Sequence, residues 1–417
     1  MRIAMVSEHA SPLAAPGGPD SGGQNVHVAE LSRALAAAGH DVTVWTRRDA
    51  PDLPAAVPFA PGVEVRHVEM GPPTTLPKDR LVTHVPQLAT GLEEAWSQDP
   101  PDVVHAHFWM SGLAAVAAAR HPGVPVVQTF HALGHVKRRH QGAADTSPQG
   151  RVSAERVIAG RVDRIVATCS DEVFELTRLG TRRNRISVVP CGVDVEQFSP
   201  QGPVLERTDR PRLVSIGRLV RRKGVDETVE ALRRVPGAEL LVAGGPADPA
   251  DLETDEDVRR LRVAAEGAGV ADRVRFLGSV ARADVPALLR SADAVVCVPW
   301  YEPFGMVPLE AMACGRPVVA SAVGGLVDTV VDQVTGLHVP PKRTDRLAVA
   351  LRELLGQQAM REAFGVAGRD RAIARYGWDR VAAATAQVYA DVLDRRASAR
   401  EVEEDAERAG ATAGGRR

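Results

Sequence analysis

Short runs of β-branched and apolar residues alternate along this chain with stretches whose apolar positions recur at helical spacing. In the first half the strand-like runs are Arg2–Ser7, Asp41–Thr46, Val63–Val68, Val103–Ala106, Pro125–Thr129, Arg164–Ala167 and Ile186–Val189. Asn25 to Ala38 reads as a helix, with Leu31, Ala34 and Leu35 on one face and Gly39 as the stop. Ser170 caps another that stops at Gly180. Strands alternating with helices predict a mostly parallel sheet covered on both faces. The rhythm fades over Phe198–Arg210, a polar stretch with two prolines. It restarts at Arg212–Gly217 and continues through Glu239–Ala243, Val274–Phe276, Ala294–Val298, Pro317–Ser321 and Gly336–Val339. The prediction is an α/β chain of two Rossmann-like, doubly wound domains, spanning 1–195 and 211–375 and joined by a linker at 196–210. A C-terminal helix over 376–395 is expected to pack back toward the first domain, followed by a disordered tail over 396–417.

Composition narrows the function classes. The chain has 417 residues, 44% hydrophobic and 25% charged, with a formal net charge of −2. That balance suits a globular protein and gives no bulk attraction to nucleic acid or anionic membrane. The cysteines Cys169, Cys191, Cys297 and Cys314 form no C-x-x-C pair, so neither a disulfide framework nor a zinc site is expected. The apolar run Ile3–Val6 is too short for a signal peptide, and no run is long enough to span a bilayer. A cytoplasmic protein without integral membrane contact is the expectation.

Open α/β sheets bind ligands at the carboxyl ends of their strands, so the loops after strands carry the candidate chemistry. The loop from Glu8 to Gly23 ends in Asp20-Ser21-Gly22-Gly23 at the start of a helix. Its glycines admit close backbone approach, and the helix start offers free N–H groups to an anion. A G-x-G-x-x-G fingerprint does not follow the first strand, which argues against a nicotinamide or flavin enzyme. In the second half, SIGRLVRRKG places Arg218 and Lys223 at the cleft, where two cations suit a diphosphate. Arg221 and Arg222 read better as a solvated turn.

The segment WYEPFGMVPLEAMACGRPVVAS is the most specific. Phe304-Gly305-Met306 opens a helix whose first N–H groups can hold a phosphate. Glu302 and Glu310 are expected to share helical phase, about 80° apart around the axis, so that both can reach one elongated ligand. His131, after the strand PVVQT, could line the reaction centre or could equally be structural. His105, His107, His135 and His140 come with no carboxylate or cysteine at a recognised metal spacing, so no metal site is expected. The run Lys137-Arg138-Arg139 is either a solvated face or an anion contact.

Taken together, these residues resemble the family-four retaining glycosyltransferases of GT-B fold. Glu302 and Glu310 are similar to that family's E-x7-E pair, and DSGGQNVHVAEL, HAHFWMSG, the Arg218/Lys223 pair and GRPVVAS agree in order and position. The resemblance covers about residues 1–393. Two branches look closest. One transfers N-acetylglucosamine to an inositol phosphate in mycothiol synthesis, and is similar in MRIAMVSEHASPL and GPDSGGQNV. The other is sucrose-phosphate synthase, similar in TFHALGHVKRR.

The family implies a nucleotide-sugar donor, UDP-linked by preference, and a small hydroxylated acceptor, a sugar or polyol phosphate. It puts Gly23, Arg218, Lys223, Phe304, Gly305, Met306 and Glu310 at the donor, His131 and Glu302 at the reacting sugar, and Asn25, Lys78 and Arg151 at the acceptor phosphate. Two departures stand out: the inositol-phosphate enzymes carry Tyr where this chain has Phe108, and Thr where it has Ala132. Each deletes a hydroxyl, and a lost hydrogen bond to a charged group costs ~1.5–3 kcal/mol. That argues against inositol phosphate itself. No D-x-D is placed to hold Mg²⁺, so metal-independent transfer without cofactors is expected, and a homodimer is compatible with the sequence. An unphosphorylated acceptor remains the first alternative, and a non-catalytic nucleotide-sugar-binding protein the second.

Overall fold

The computed structural model describes residues 1–14 and 22–414. Asp20 and Ser21 of the first loop lie outside the described residues. The first unit contains β1 (Arg2–Val6), α1 (Gly23–Ala37), β2 (Asp41–Arg47), β3 (Ala56–Ala60), β4 (Val63–Val68), α2 (Val85–Gln98) and β5 (Val103–His107). It continues with α3 (Trp109–Ala118), β6 (Val126–Thr129), α4 (Gly134–Gln141), α5 (Arg151–Arg161), β7 (Arg164–Ala167), α6 (Ser170–Arg178) and β8 (Ile186–Val188). Its strands form one sheet in the order β3-β4-β2-β1-β5-β6-β7-β8, with helices on both faces. Ile3, Ala4, Met5 and Val6 are all buried, as an uninterrupted apolar run should be in a strand covered on both faces.

Strand β3 is absent from the sequence-based prediction. It is the sheet's edge, antiparallel to β4, with a register shift between Pro58 and Ala60. Pro58 makes AVPFA read as a break, yet an edge strand tolerates proline because no further strand needs its N–H.

The second unit contains β9 (Arg212–Ile216), α7 (Val225–Leu232), β10 (Glu239–Ala243), α8 (Glu256–Gly267), β11 (Val274–Gly278), α9 (Val285–Arg290) and β12 (Ala294–Cys297). It continues with α10 (Met306–Ala313), β13 (Val318–Ser321), α11 (Leu326–Thr329), β14 (Gly336–Val339), α12 (Thr344–Gly356) and α13 (Gln358–Tyr376). The six strands are parallel, in the order β11-β10-β9-β12-β13-β14. Strand order reverses at β1/β5 in the first sheet and at β9/β12 in the second. The loops after these four strands carry most of the candidate residues, as the switch-point rule requires.

The polar stretch between the units is strapped down rather than loose. Arg290 of α9 donates to the carbonyls of Ser199, Gln201 and Pro203 at 2.7–3.0 Å, and Leu205 N–H donates to Ala287 at 3.1 Å. Arg207 adds a bond to Asp293 at 2.7 Å.

After Gly377 bridges to Val193, α14 (Trp378–Gly414) lies against the first unit. Trp378, Val381, Ala382, Val388, Tyr389 and Val392 share a core cluster with Ile3, Met5, Leu31 and Leu35. Arg396 closes the contact with two bonds to Asp163 at 2.7 and 2.9 Å. The expected disordered tail from 396 is corrected: the helix runs on to Gly414. Ala, Glu and Arg dominate residues 397–408, and these are strong helix formers that a charge-based reading of disorder undervalues.

Candidate active site

The acceptor-side candidates meet around Phe108, the first residue after β5. Its backbone sits at φ 80° and ψ 161°, a region that non-glycine residues avoid. Burial of its ring holds it there. The Lys78 ammonium lies 5.3 Å and the Arg151 guanidinium 4.9 Å from the ring centroid, and His9 packs edge-on at 4.8 Å. Two cations are thus brought to one aromatic ring by a residue 30 or more positions away from either in sequence.

Arg151 is itself buried. It donates to Glu155 at 2.8 Å, to the Ala132 carbonyl at 2.5 Å and to Ser147 at 3.3 Å. Burial raises the Glu155 carboxyl above its ordinary range, while Arg151 opposes the rise. Lys137 joins the group through Ser147 at 2.9 Å and Asp145 at 3.0 Å, whereas Arg139 is turned away onto Glu175. Of the basic run after β6, Arg138 is a solvated residue and Lys137 faces the cluster. Asn25 is held by local hydrogen bonds. Its amide accepts from Gly22 N–H and donates to the Ser11 carbonyl, both at 3.0 Å, and so ties Ser11 to the start of α1.

His131 is not a lone histidine. It sits at φ 59°, and its Nε2 lies 3.0 Å from His107 Nδ1 with the two rings stacked. His27 on α1 stands edge-on to His131 at 5.1 Å between centroids. Behind them, His105 is held by Tyr389 at 2.7 Å and Thr129 at 2.8 Å. Burial pushes His27 down to about 4 and His105 to about 3, and it holds His107 and His131 well below the usual imidazole range. All four rings are therefore neutral at physiological pH. His135 pairs with Glu175 at 2.7 Å, and His140 stacks on Tyr301 of the second unit at 4.8 Å.

On the donor side, Gly305 precedes α10 at φ +86°, where a Cβ would come within 2.4 Å of Leu326. Only glycine therefore fits at the start of α10, whose first N–H groups have no partner within the helix. A Cβ on Gly23 would lie 3.5 Å from Met306 Sδ, so the starts of α1 and α10 face each other across the cleft. Glu302 lies before the helix, not in it, which corrects the shared helical phase expected for the two glutamates. The loop brings Glu302 onto Lys223 in an ion pair. Glu310 is buried within α10 and accepts from Arg282 at 2.5 Å, with Arg282 stacked over Phe198 at 4.5 Å. The ring of Phe304 is a core residue beside Tyr376, so any part it has at the helix start is through its backbone. Arg218 is exposed at the loop, as is Arg221. Arg222 is half-buried, and burial and Arg218 lower its guanidinium below the ordinary value. The one D-x-D run near this unit's loops, Asp255-Glu256-Asp257, starts α8: Asp255 caps Val258 N–H at 2.9 Å and Asp257 pairs with Arg260 at 2.8 Å.

Gly324 and Gly325 went unnoticed in the sequence. A Cβ on Gly324 would come within 2.1 Å of the Glu302 carbonyl, and Gly325 N–H donates to that same carbonyl at 3.0 Å. The adjacent glycines after a strand were the available signal. The units also bond directly: Asp328 accepts from Ser170 N–H at 2.6 Å and its hydroxyl at 2.7 Å, and Cys169 Sγ donates to the Pro303 carbonyl at 3.2 Å. All four cysteines are free thiols. Among the described residues no helix is long and apolar enough to cross a membrane.

Two doubly wound sheets whose switch-point loops meet across a cleft define the GT-B class of glycosyltransferase. The chain belongs to glycosyltransferase family 4: the family described as "Glycosyltransferase Family 4" matches residues 21–197, and "Glycosyl transferases group 1" matches 201–371. A D-inositol 3-phosphate glycosyltransferase of Xylanimonas cellulosilytica is 39% identical, across 95% of this chain and 98% of its own length. Among solved structures, sucrose-phosphate synthase from Thermosynechococcus elongatus superimposes with a TM-score of 0.86 at 30% identity, over 95% of this chain and all of its own (100%). HepE of Anabaena, solved in complex with UDP and glucose, shares the fold at a TM-score of 0.71 and 19% identity, over 94% of this chain and 99% of its own.

The buried imidazoles make stability depend on pH. The unfolded chain protonates them near 6.5, the folded chain near 4 for His27 and 3 for His105, so the unfolded state binds more protons in between. Stability should therefore fall as pH drops below about 6.5. Urea midpoints at pH 7 and pH 5 measure the drop, and His27→Phe should shrink it by roughly 1–2 kcal/mol. An undiminished drop in the variant would mean that His27 is not held neutral.

Proposed function

We propose that the chain transfers a sugar, with retention of anomeric configuration and without a metal, from a nucleoside diphosphate donor to a hydroxyl of a sugar or polyol phosphate. UDP is the favoured nucleotide. The observation that carries the donor half is the meeting of the Gly305–Met306 helix start with Lys223, Glu302 and Gly23 at one point of the cleft. A leaving diphosphate is already a good anion and needs charge stabilisation more than a general acid. Arg218, Lys223 and the α10 N–H groups supply it by preorganised electrostatics. In the transfer, the bond from the anomeric carbon to the donor phosphate oxygen breaks, and its electron pair stays on that oxygen. The acceptor hydroxyl oxygen bonds to the anomeric carbon from the same face, and its proton passes to the departing phosphate oxygen. His131 and Glu302 position the sugar, and Glu310 accepts from the ribose hydroxyls.

The phosphorylated acceptor is supported by the Lys78–Phe108–Arg151 group and by the names of two relatives, one an inositol-phosphate and the other a sucrose-phosphate enzyme. Phe108 and Ala132, each lacking a hydroxyl, point to an acceptor other than inositol 3-phosphate. The rival reading, an unphosphorylated acceptor, draws on the internal pairing of Arg151 with Glu155.

Lys223→Ala and Glu310→Ala should each raise donor KM or lower kcat by about tenfold or more, as loss of charge-assisted bonds of ~1.5–3 kcal/mol implies. Unchanged donor kinetics in folded variants would remove both residues from the donor site. Transfer should also survive excess EDTA, and a loss restored by Mg²⁺ or Mn²⁺ would overturn the cation-based account. For the acceptor, Lys78→Ala and Arg151→Ala should each raise acceptor KM by about tenfold with little change for the donor. Equal turnover of an acceptor and its dephosphorylated form would refute the phosphate assignment.

A further inference from the structure

Histidines 27, 107 and 131 come from α1, the end of β5 and the loop after β6, and the fold brings them together. Each offers one ring nitrogen, and the three nitrogens lie within 4.8 Å of one another. Nitrogens around a tetrahedral Zn²⁺ at ~2.0–2.1 Å stand about 3.4 Å apart, so small ring rotations suffice. The Nδ1 of His27 and the Nε2 of His107 are buried and find no hydrogen-bond partner among the described residues. Buried polar nitrogens without partners are costly, and a cation would relieve His27 Nδ1, while it would replace the bond that His107 Nδ1 now shares with His131 Nε2. Burial also keeps all three rings neutral, the form in which imidazole binds a metal.

We propose that His27, His107 and His131 bind one divalent transition-metal cation of the Zn²⁺ type, and that its binding inhibits the glycosyltransferase. A set of three imidazoles with no carboxylate selects Zn²⁺, Cu²⁺ or Ni²⁺ over Mg²⁺ and Ca²⁺, which take oxygen ligands. Three protein ligands leave a fourth position for water or a substrate hydroxyl. A metal on His131 withdraws its ring nitrogen from the sugar, so the inhibitory half rests on the placement of His131 proposed above. The site is a brake, not a cofactor centre, and is consistent with transfer that survives EDTA.

The test uses full-length, tag-free protein stripped with a chelator. Zn²⁺ affinity is measured by competition with a chromogenic chelator, and the coordination by the visible spectrum of the Co²⁺ form. His27→Phe keeps a ring against Trp378 and removes the ligand nitrogens; it lies outside the proposed donor and acceptor machinery. Wild type should take up one Zn²⁺, and the variant should bind at least about tenfold more weakly, since even outer-shell losses cost 10–100-fold. In metal-free buffer the variant should match wild type in activity, and Zn²⁺ should inhibit it correspondingly less. Should the variant fail to fold by circular dichroism, His131→Ala replaces it for the binding measurement. No stoichiometric Zn²⁺ binding by wild type, or equal binding by the folded variant, overturns the site. Stoichiometric binding without inhibition overturns the brake and places His131 away from the sugar, while the donor kinetics of Lys223→Ala and Glu310→Ala judge the glycosyltransferase reading separately.

Discussion

The hydrogen bonds that Asp328 makes to Ser170 set how close the two sheets stand, and the cleft depends on that distance. A carboxylate from α11 accepts from the first N–H and the hydroxyl at the start of α6, at 2.6 and 2.7 Å. The α6 dipole favours an acid at this end. The Cys169 thiol on the Pro303 carbonyl and the Tyr301 hydroxyl on Asp171 extend the same seam. These contacts attach the Glu302 loop to the first unit. The loop in turn pairs with Lys223, and the start of α10 thereby faces Gly23. α14 completes the frame from the far side, where Trp378 to Val392 fill the core behind α1.

Backbone strain is present where ligand contact is proposed. Of the four non-glycine residues with positive φ among the described residues, Gln333 and Lys342 lie elsewhere, while Phe108 and His131 lie at the proposed site, at a cost of order 1–3 kcal/mol each. Buried packing over-determines them: Phe108 lies among Lys78, Arg151 and His9, and His131 is stacked on His107. Relaxation of either would unstack its neighbours. The same packing makes the Phe108–Arg151 cluster rigid, because Arg151 already has Glu155, Ser147 and the Ala132 carbonyl as partners. A rigid guanidinium held in place loses little entropy on meeting an anion.

Much of the architecture was legible before any coordinates. Thirteen of the strands were marked by short β-branched or apolar runs: central ones such as β1, β5 and β10 read as near-continuous because both faces are buried, whereas β4, VEVRHV, alternates because one face is more open. The exception, β3, has its apolar signal cut by Pro58. Lys223, Glu302, Gly305 and Glu310 could be singled out because glycine, proline and charge together are rare in an apolar strand-to-helix junction. That the ring of Phe304 packs in the core was not legible, as a ring beside a binding loop and a ring in the core look alike in one dimension.

By itself the sequence determined the alternation of strands and helices, the split into two doubly wound units and the segments that carry their chemistry. These follow from local periodicity and from residues whose backbone preferences act within a few positions. Only the tertiary structure decided which distant residues meet. His27, His107 and His131 became a cluster, Glu302 found Lys223 rather than the phase of α10, Glu310 found Arg282, and Asn25 bonded to Ser11 and Gly22. The physical reason is that side-chain partners are set by sheet order and loop path. Burial then fixes the charge state of each group once those partners are in place.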